Sequence, residues 1–304
     1  MNIGIIGAGD IAQEHLKVLR DLPVDVIAVC NRGEERRLNT SKKFNIPNTY
    51  EKYEDMFKNH KLDAVFVLVT IENMGEVCLD CAKYGIPLFV EKPIGLSINE
   101  VKEIKRVADE NNTKIMVGVN RRFMSTIMKA KEIIGGLKGI NIEAPERFLN
   151  EIEDDENSKE AMDAWIYANG VHCIDLLRFF GGDVKEVVSL SDKDKQFYNA
   201  QIKFENCVGQ YRSYWDCPGG WQIFLYGDKS KVTVFPLEKG IYSVRNKEDQ
   251  EITLDELDIK YKPGFYRQIK YFIDCVENDK SFSYPASDIN DTIKTMELIS
   301  QIEN

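Results

Sequence analysis

Residues 2–6 form a short apolar run of the kind that makes a buried strand, and it passes directly into Gly7-Ala8-Gly9-Asp10-Ile11-Ala12. From residue 11 to 22 the apolar side chains recur at helical spacing. The chain must therefore turn from strand to helix within a few residues. Gly7 permits a tight reversal there, Gly9 lets the main chain approach a bulky anion, and Ala12 allows close helix–strand packing. The helix N-terminus attracts negative charge. A G-x-G-x-x-A turn in this setting predicts a pyrophosphate-binding loop lined by Gly7, Gly9, Asp10, Ile11 and Ala12. Its plain alternative is a glycine turn with a structural role only.

The next hundred residues repeat the strand–helix alternation. Strands are expected at 24–30, 64–69, 87–90 and 114–119, and helices at 34–44, 73–84 and 98–111. Such alternation predicts a Rossmann-type, doubly wound parallel sheet over residues 1–120. After Arg121 the pattern changes. Helices are expected at 125–134 and 168–180, each ending at a Gly-Gly pair, and an acidic stretch at 150–160 reads as a solvated loop. Strand-like segments follow at 184–190, 200–204, 208–215, 221–226 and 231–235, then two closing helices at 266–277 and 287–302. This predicts a second, α+β domain over 121–304 with a large, mostly antiparallel sheet, serving substrate binding and oligomerisation.

Composition narrows the function. Acidic residues outnumber Lys plus Arg by 50 to 40, which offers no general handle for nucleic acid or an anionic membrane. No apolar run approaches the roughly 18 residues of a membrane span. With a strand expected from Asn2 there is no room for a signal peptide, and seven cysteines, an odd number, point to reduced thiols in the cytoplasm. Cys78 and Cys81 form a C-x-x-C inside a helical pattern without a second pair, so core packing is the expected role and no metal site is expected.

The second strand ends at Cys30-Asn31-Arg32. An NAD-selective site usually places an acid here, about 20 residues past the glycines, to bind the ribose hydroxyls. Asn31 is uncharged, and Arg32 could pair with the 2′-phosphate of NADP. NADP is therefore favoured over NAD, the alternative being that Arg32, Arg36 and Arg37 simply open an exposed helix.

Val90-Glu91-Lys92-Pro93 resembles the E-K-P motif of the glucose–fructose oxidoreductase and inositol dehydrogenase family (Gfo/Idh/MocA). Gly118-Val119-Asn120-Arg121-Arg122-Phe123 and Gly170-Val171-His172-Cys173-Ile174-Asp175-Leu176 look like further motifs of that family, the second resembling its G-x-H-x-x-D-L segment. The resemblance implies an NAD(P)-dependent dehydrogenase of a sugar, cyclitol or related polyol, in a homodimer or homotetramer. It places Glu91, Lys92, Pro93 and Thr70 at the cofactor, with Lys92 beside the substrate hydroxyl, and gives His172 a catalytic role. Imidazole is the natural acid–base near neutral pH. Asp175 shares a helix face with His172 and would bind a substrate hydroxyl.

Two departures stand out. Many members carry Asp four residues before the histidine, where this chain has Ala168; Asn169 and Tyr167 are the polar neighbours. The T-P-x-x-x-H common after the third strand is here Thr70-Ile71-Glu72-Asn73-Met74-Gly75. A catalytically weak dinucleotide- and sugar-sensing regulator is therefore the alternative function. Trp165, Tyr167, Tyr214, Trp215 and Trp221 include possible sugar-stacking aromatics, and Arg122 and Arg212 could meet an anionic substrate group.

Overall fold

The computed structural model describes residues 1–146, 165–192, 197–215 and 217–303, so the acidic stretch at 150–160 lies outside the described residues. The chain divides into two compact units: Met1–Asn120 with Lys260–Ile293, and Arg121–Ile259 with Lys294–Asn304.

The first unit is built on β1 (Asn2–Ile6), β2 (Asp25–Cys30), β3 (Asn48–Tyr50), β4 (Ala64–Val67), β5 (Leu88–Glu91) and β6 (Ile115–Gly118), all parallel and in the order 3-2-1-4-5-6 by number. A last antiparallel strand, Ser287–Asp288, pairs with β6 at the edge. The four residues of β4 are all buried, as a central strand covered on both faces requires. Helices α1 (Asp10–Arg20), α2 (Glu34–Phe44), α3 (Tyr53–Asn59), α4 (Ile71–Cys81) and α5 (Ile98–Glu110) complete the alternation. Strand order reverses at β1, which is paired with β2 on one side and β4 on the other. A crevice outside the carboxyl ends of the strands at such a switch point is where open α/β sheets bind ligands.

Where the sequence assigned residues 121–304 to one domain, the structure places Lys260–Ile293 with the first unit. The cause is a strongly amphipathic helix, Phe265–Glu277, which packs on α1. Its Phe265 and Phe272 join Phe66, Phe89 and His15 in a buried aromatic cluster. Lys260 and Tyr261 just before it both donate to the carboxylate of Asp21, holding that carboxyl at about 2. Other differences are local. The segment β3–α3 has too few apolar residues to show a period, and helix α4 begins at Ile71 and passes into a tighter turn, Ala82–Tyr84. The last helix starts at Ile289, because Ser287 and Asp288 are taken by the edge strand.

The second unit is an eight-stranded sheet. In chain order its strands are β7 (Gly139–Glu143), β8 (Val184–Ser189), β9 (Phe197–Phe204), β10 (Val208–Tyr214), β11 (Gln222–Tyr226), β12 (Ser230–Val234), β13 (Lys239–Val244) and β14 (Gln250–Thr253). All neighbours are antiparallel except β7 and β10. Residues on β9 alternate between deeply and weakly buried, so one face is covered. The cover is α6 (Ser125–Ile133) over β12–β14 and α7 (Val171–Gly181) over β7 and β10. β13 and β14 were not expected from the sequence: β14 has one apolar residue, Ile252, and β13 sets Ile241, Tyr242 and Val244 among Lys239, Gly240 and Ser243. All residues of α7 are buried. A helix apolar all round except for His172, Asp175 and Arg178 must satisfy those polar groups internally.

Candidate active site

At the end of β1 the N–H of Gly7 donates to Cys30 O at 2.8 Å, and the residue has φ +106. A Cβ there would stand 2.3 Å from Leu68 O, so no other residue fits. Gly9 is the opposite case. A Cβ built on it meets nothing within 4 Å, leaving open space over the N-terminus of α1, which has no side-chain cap. Uncapped N–H groups beside a surface that a side chain would fill suit a pyrophosphate. A surface cavity of about 340 Å³ opens at this point, walled by Gly9, Asp10 and Gln13 on one side and by Arg36, Asn39 and Lys43 on the other. These residues fit a dinucleotide. Ile11 is half-buried and Ala12 fully buried against the sheet, as close packing demands.

Two flanking loops meet at this turn. Asn31 accepts from Ala8 N–H at 3.2 Å through its side-chain oxygen and donates to Gly33 O at 3.0 Å. It therefore fixes the glycine loop itself. Arg32 is exposed and donates to Asn73 Oδ1 at 3.1 Å, and Asn73 donates to Thr70 Oγ1 at 2.8 Å. The structure thus brings Gly7–Ala12, Asn31, Arg32 and Thr70 into one region.

Glu91 behaves differently from a cofactor ligand. It is 6% exposed, and its Oε1 lies 2.7 Å from Nε2 of the fully buried His15 on α1. Its Oε2 accepts from Lys92 N–H at 3.2 Å. Both carboxylate oxygens are thus used by the protein, and the turn carrying Lys92 and Pro93 is tied to the helix that follows the glycine loop. Lys92 is half-buried, Pro93 is buried, and the bond between them is cis. Beyond them Ser97 caps α5 by accepting from Glu100 N–H, while Glu100 accepts from Leu96 N–H at 2.7 Å, a reciprocal cap that pins the loop.

The second unit holds the other polar cluster. A π-helical turn, Ile166–Gly170, runs into α7, and such turns recur at functional sites. It presents Asn169, whose Nδ2 donates to Glu146 Oε2 at 2.9 Å. Glu146 Oε1 accepts from Trp221 Nε1 at 3.0 Å. The Trp221 ring lies 5.8 Å from the His172 imidazole and 5.6 Å from the Arg121 guanidinium. Asn169 and Trp221 are half-buried, whereas His172 and Glu146 are buried. Burial, with the Glu146 charge second, pushes the Cys173 thiol well above its ordinary range. Burial likewise lowers Arg121.

Asp175 and Arg122 pair with each other in the interior. Arg122 donates from Nε to Oδ2 at 2.7 Å and from a terminal nitrogen to Oδ1 at 2.5 Å, and the residues are 2% and 1% exposed. Thr295 donates to the same carboxylate, and Arg178 donates to Thr295. The physical reason is the buried helix: a carboxylate there needs a bidentate cation. Tyr167 is also turned elsewhere, donating to Glu303 Oε2 at 2.6 Å, with burial raising its phenol. Arg212 pairs with Glu143 across β7 and β10. Reading α7 as a helix with one polar face missed these pairings, because Thr295 and Arg122 are far away in sequence. Glu146 carried no motif at all. Among the described residues, no group of three or more His, Cys, Asp or Glu could hold a metal ion, and no helix is long and apolar enough to cross a membrane.

A switch-point crevice, an open glycine turn and uncapped helix N–H groups define a dinucleotide-binding α/β protein. Residues 1–119 match the Gfo/Idh/MocA model, described as an oxidoreductase family with an NAD-binding Rossmann fold. The match covers the nucleotide-binding first part of the chain, and the chain spans about half or less of the length of the named dehydrogenases it resembles. It is 24% identical to an uncharacterized protein of Saccharomyces cerevisiae over 77% of this chain and 74% of that one. It is 27% identical to a myo-inositol 2-dehydrogenase of Thermotoga maritima, over 44% of this chain and 40% of that enzyme, less than half of either. A solved levoglucosan dehydrogenase, in complex with NADH and levoglucosan, aligns with TM-score 0.84 at 14% identity, covering 99% of this chain and 96% of its own. That likeness is one of fold.

The buried pair gives a direct prediction. Asp175→Ala leaves Arg122 buried without its carboxylate and should lower unfolding stability by about 3–5 kcal/mol in denaturant titrations. A variant of wild-type stability with a raised substrate KM would instead return Asp175 to substrate binding.

Proposed function

We propose that the chain transfers hydride between NADP, with NAD as the alternative, and a CH–OH group of a sugar, cyclitol or related polyol. The observation that carries the reading is the glycine turn at the switch point, with open space over Gly9. Support for a polyhydroxy substrate comes from the relatives, one named for inositol and one solved with levoglucosan.

When bound, the nicotinamide supplies the hydride acceptor or donor. Lys92 holds an ammonium toward the reacting oxygen and stabilises developing alkoxide charge. His172 takes or returns the hydroxyl proton. Asn169 and Trp221, half-buried beside His172, offer an amide and an aromatic face to a sugar ring. The regulatory alternative drew its motive from Ala168, which brings no carboxylate. One does lie beneath the adjacent Asn169, in Glu146, and this favours the enzyme. Lys92→Ala should abolish turnover of a polyol or keto-sugar while dinucleotide affinity, read by calorimetry, stays near wild type. Turnover at wild-type rate in that variant would remove Lys92 from the chemistry.

Preference for NADP is inferred from three features. Asn31 replaces the usual acid and is occupied with the glycine loop, Arg32 is exposed beside it, and Arg36 and Lys43 line the adjoining cavity. Arg32→Ala should weaken NADPH by about ten-fold or more and leave NADH little changed. Equal effects on both dinucleotides would assign Arg32 to the loop contact with Asn73 alone.

We also infer a homodimer or homotetramer. Val188, Leu190 and Val208, on or beside the strands of the second unit, are 53%, 69% and 61% exposed, apolar side chains that a second copy of the chain could cover. Light scattering should return the mass of two or four chains; a monomer at every concentration tested would exclude this.

A further inference from the structure

Glu146 lies just beyond the end of β7, and its main chain is clamped on both sides. Its N–H donates to Tyr214 O at 3.0 Å, and its carbonyl accepts from Cys217 N–H at 3.2 Å. The residue is 5% exposed, yet Asn169 and Trp221, which donate to it, are only half-buried. A carboxylate is costly to bury, and a neutral side chain would fill this place at lower cost. Its position beneath two accessible polar groups is what a brace requires.

We propose that Glu146 is a positioning residue for the substrate site of the second unit, fixing which atoms Asn169 and Trp221 present to a polyhydroxy ligand. The proposal rests on the oxidoreductase reading above. An ionised carboxylate only accepts hydrogen bonds. Asn169 must therefore turn its NH₂ toward Glu146, which leaves Oδ1 and one N–H for ligand hydroxyls. Trp221 spends its only donor on the same carboxylate, so its ring plane is set beside His172 and only the aromatic face is left to offer. The carboxylate thus decides hydrogen-bond polarity at the site without touching the substrate.

The test exchanges that polarity. In Glu146→Gln the single side-chain oxygen can keep Trp221, but the new NH₂ then meets the NH₂ of Asn169. Asn169 has to flip and present donors where it presented an oxygen. Adding Asn169→Asp restores an acceptor for that NH₂ and returns an oxygen to the ligand side. With wild type, the single variant and the double variant, one measures kcat and KM on a panel of sugars and cyclitols, dinucleotide affinity, and thermal midpoint. The expected result is a loss of about ten-fold to a hundred-fold in kcat/KM for Glu146→Gln, with dinucleotide affinity and midpoint close to wild type. The double variant should recover most of that loss. Wild-type kcat/KM in Glu146→Gln would overturn the proposal, as would a loss that the double variant fails to recover. If wild type binds dinucleotide but neither binds nor turns over any of the panel, it is the oxidoreductase reading of the substrate that fails.

Discussion

The passage of the main chain at Gly7 is the constraint on which the first unit depends. β1 runs between β2 and β4, and its exit passes against the carbonyl of Leu68 with no room for a side chain. That crossing launches α1 with its N–H groups uncapped and facing the crevice. Four residues further along the inner face of α1 from Ile11, His15 reaches the carboxylate of Glu91 at the end of β5. One helix therefore carries the glycine loop at its start and grips the Lys92–Pro93 turn through its second turn. The glycine loop and the Lys92–Pro93 turn are coupled through a buried hydrogen bond, surrounded by Phe66, Phe89 and Phe265.

In the second unit the burial of α7 sets the terms. A helix that carries His172, Asp175 and Arg178 into an apolar interior must find partners for them from elsewhere. Asp175 finds Arg122 and Thr295, and Arg178 finds Thr295. His172 sits beside Trp221 at the edge of the same interior. Asp175 and Arg178 thus hold the helix while His172 lies against Trp221, though on the sequence alone they look like one set.

This division explains how much could be read beforehand. The parallel sheet, the glycine turn and the large second sheet follow from short-range patterns: strand, turn and helix lie next to each other in sequence, and each is dictated by local spacing. The role of Asp175 does not follow, because the cation that neutralises it stands 53 positions away. His15 looked like one more residue on a core helix, and its link to Glu91 spans 76 positions. Glu146 stands just before an acidic stretch and has no signature of its own; only the fold brings Asn169 and Trp221 to it. Residues 260–293 were misplaced for a related reason, since the aromatic face of Phe265–Glu277 finds its partner in α1 at the other end of the chain.

We propose that the turn from β1 into α1 is a dinucleotide site. It is tested most directly by an amide-resolved NMR titration of the whole protein with NADPH and NADH. Saturable shifts at the amides of Gly9, Asp10 and Ile11, spreading to Asn31 and Thr70, are the predicted result. Amides of the glycine turn that stay unmoved at saturating dinucleotide, or shifts centred elsewhere, would contradict it.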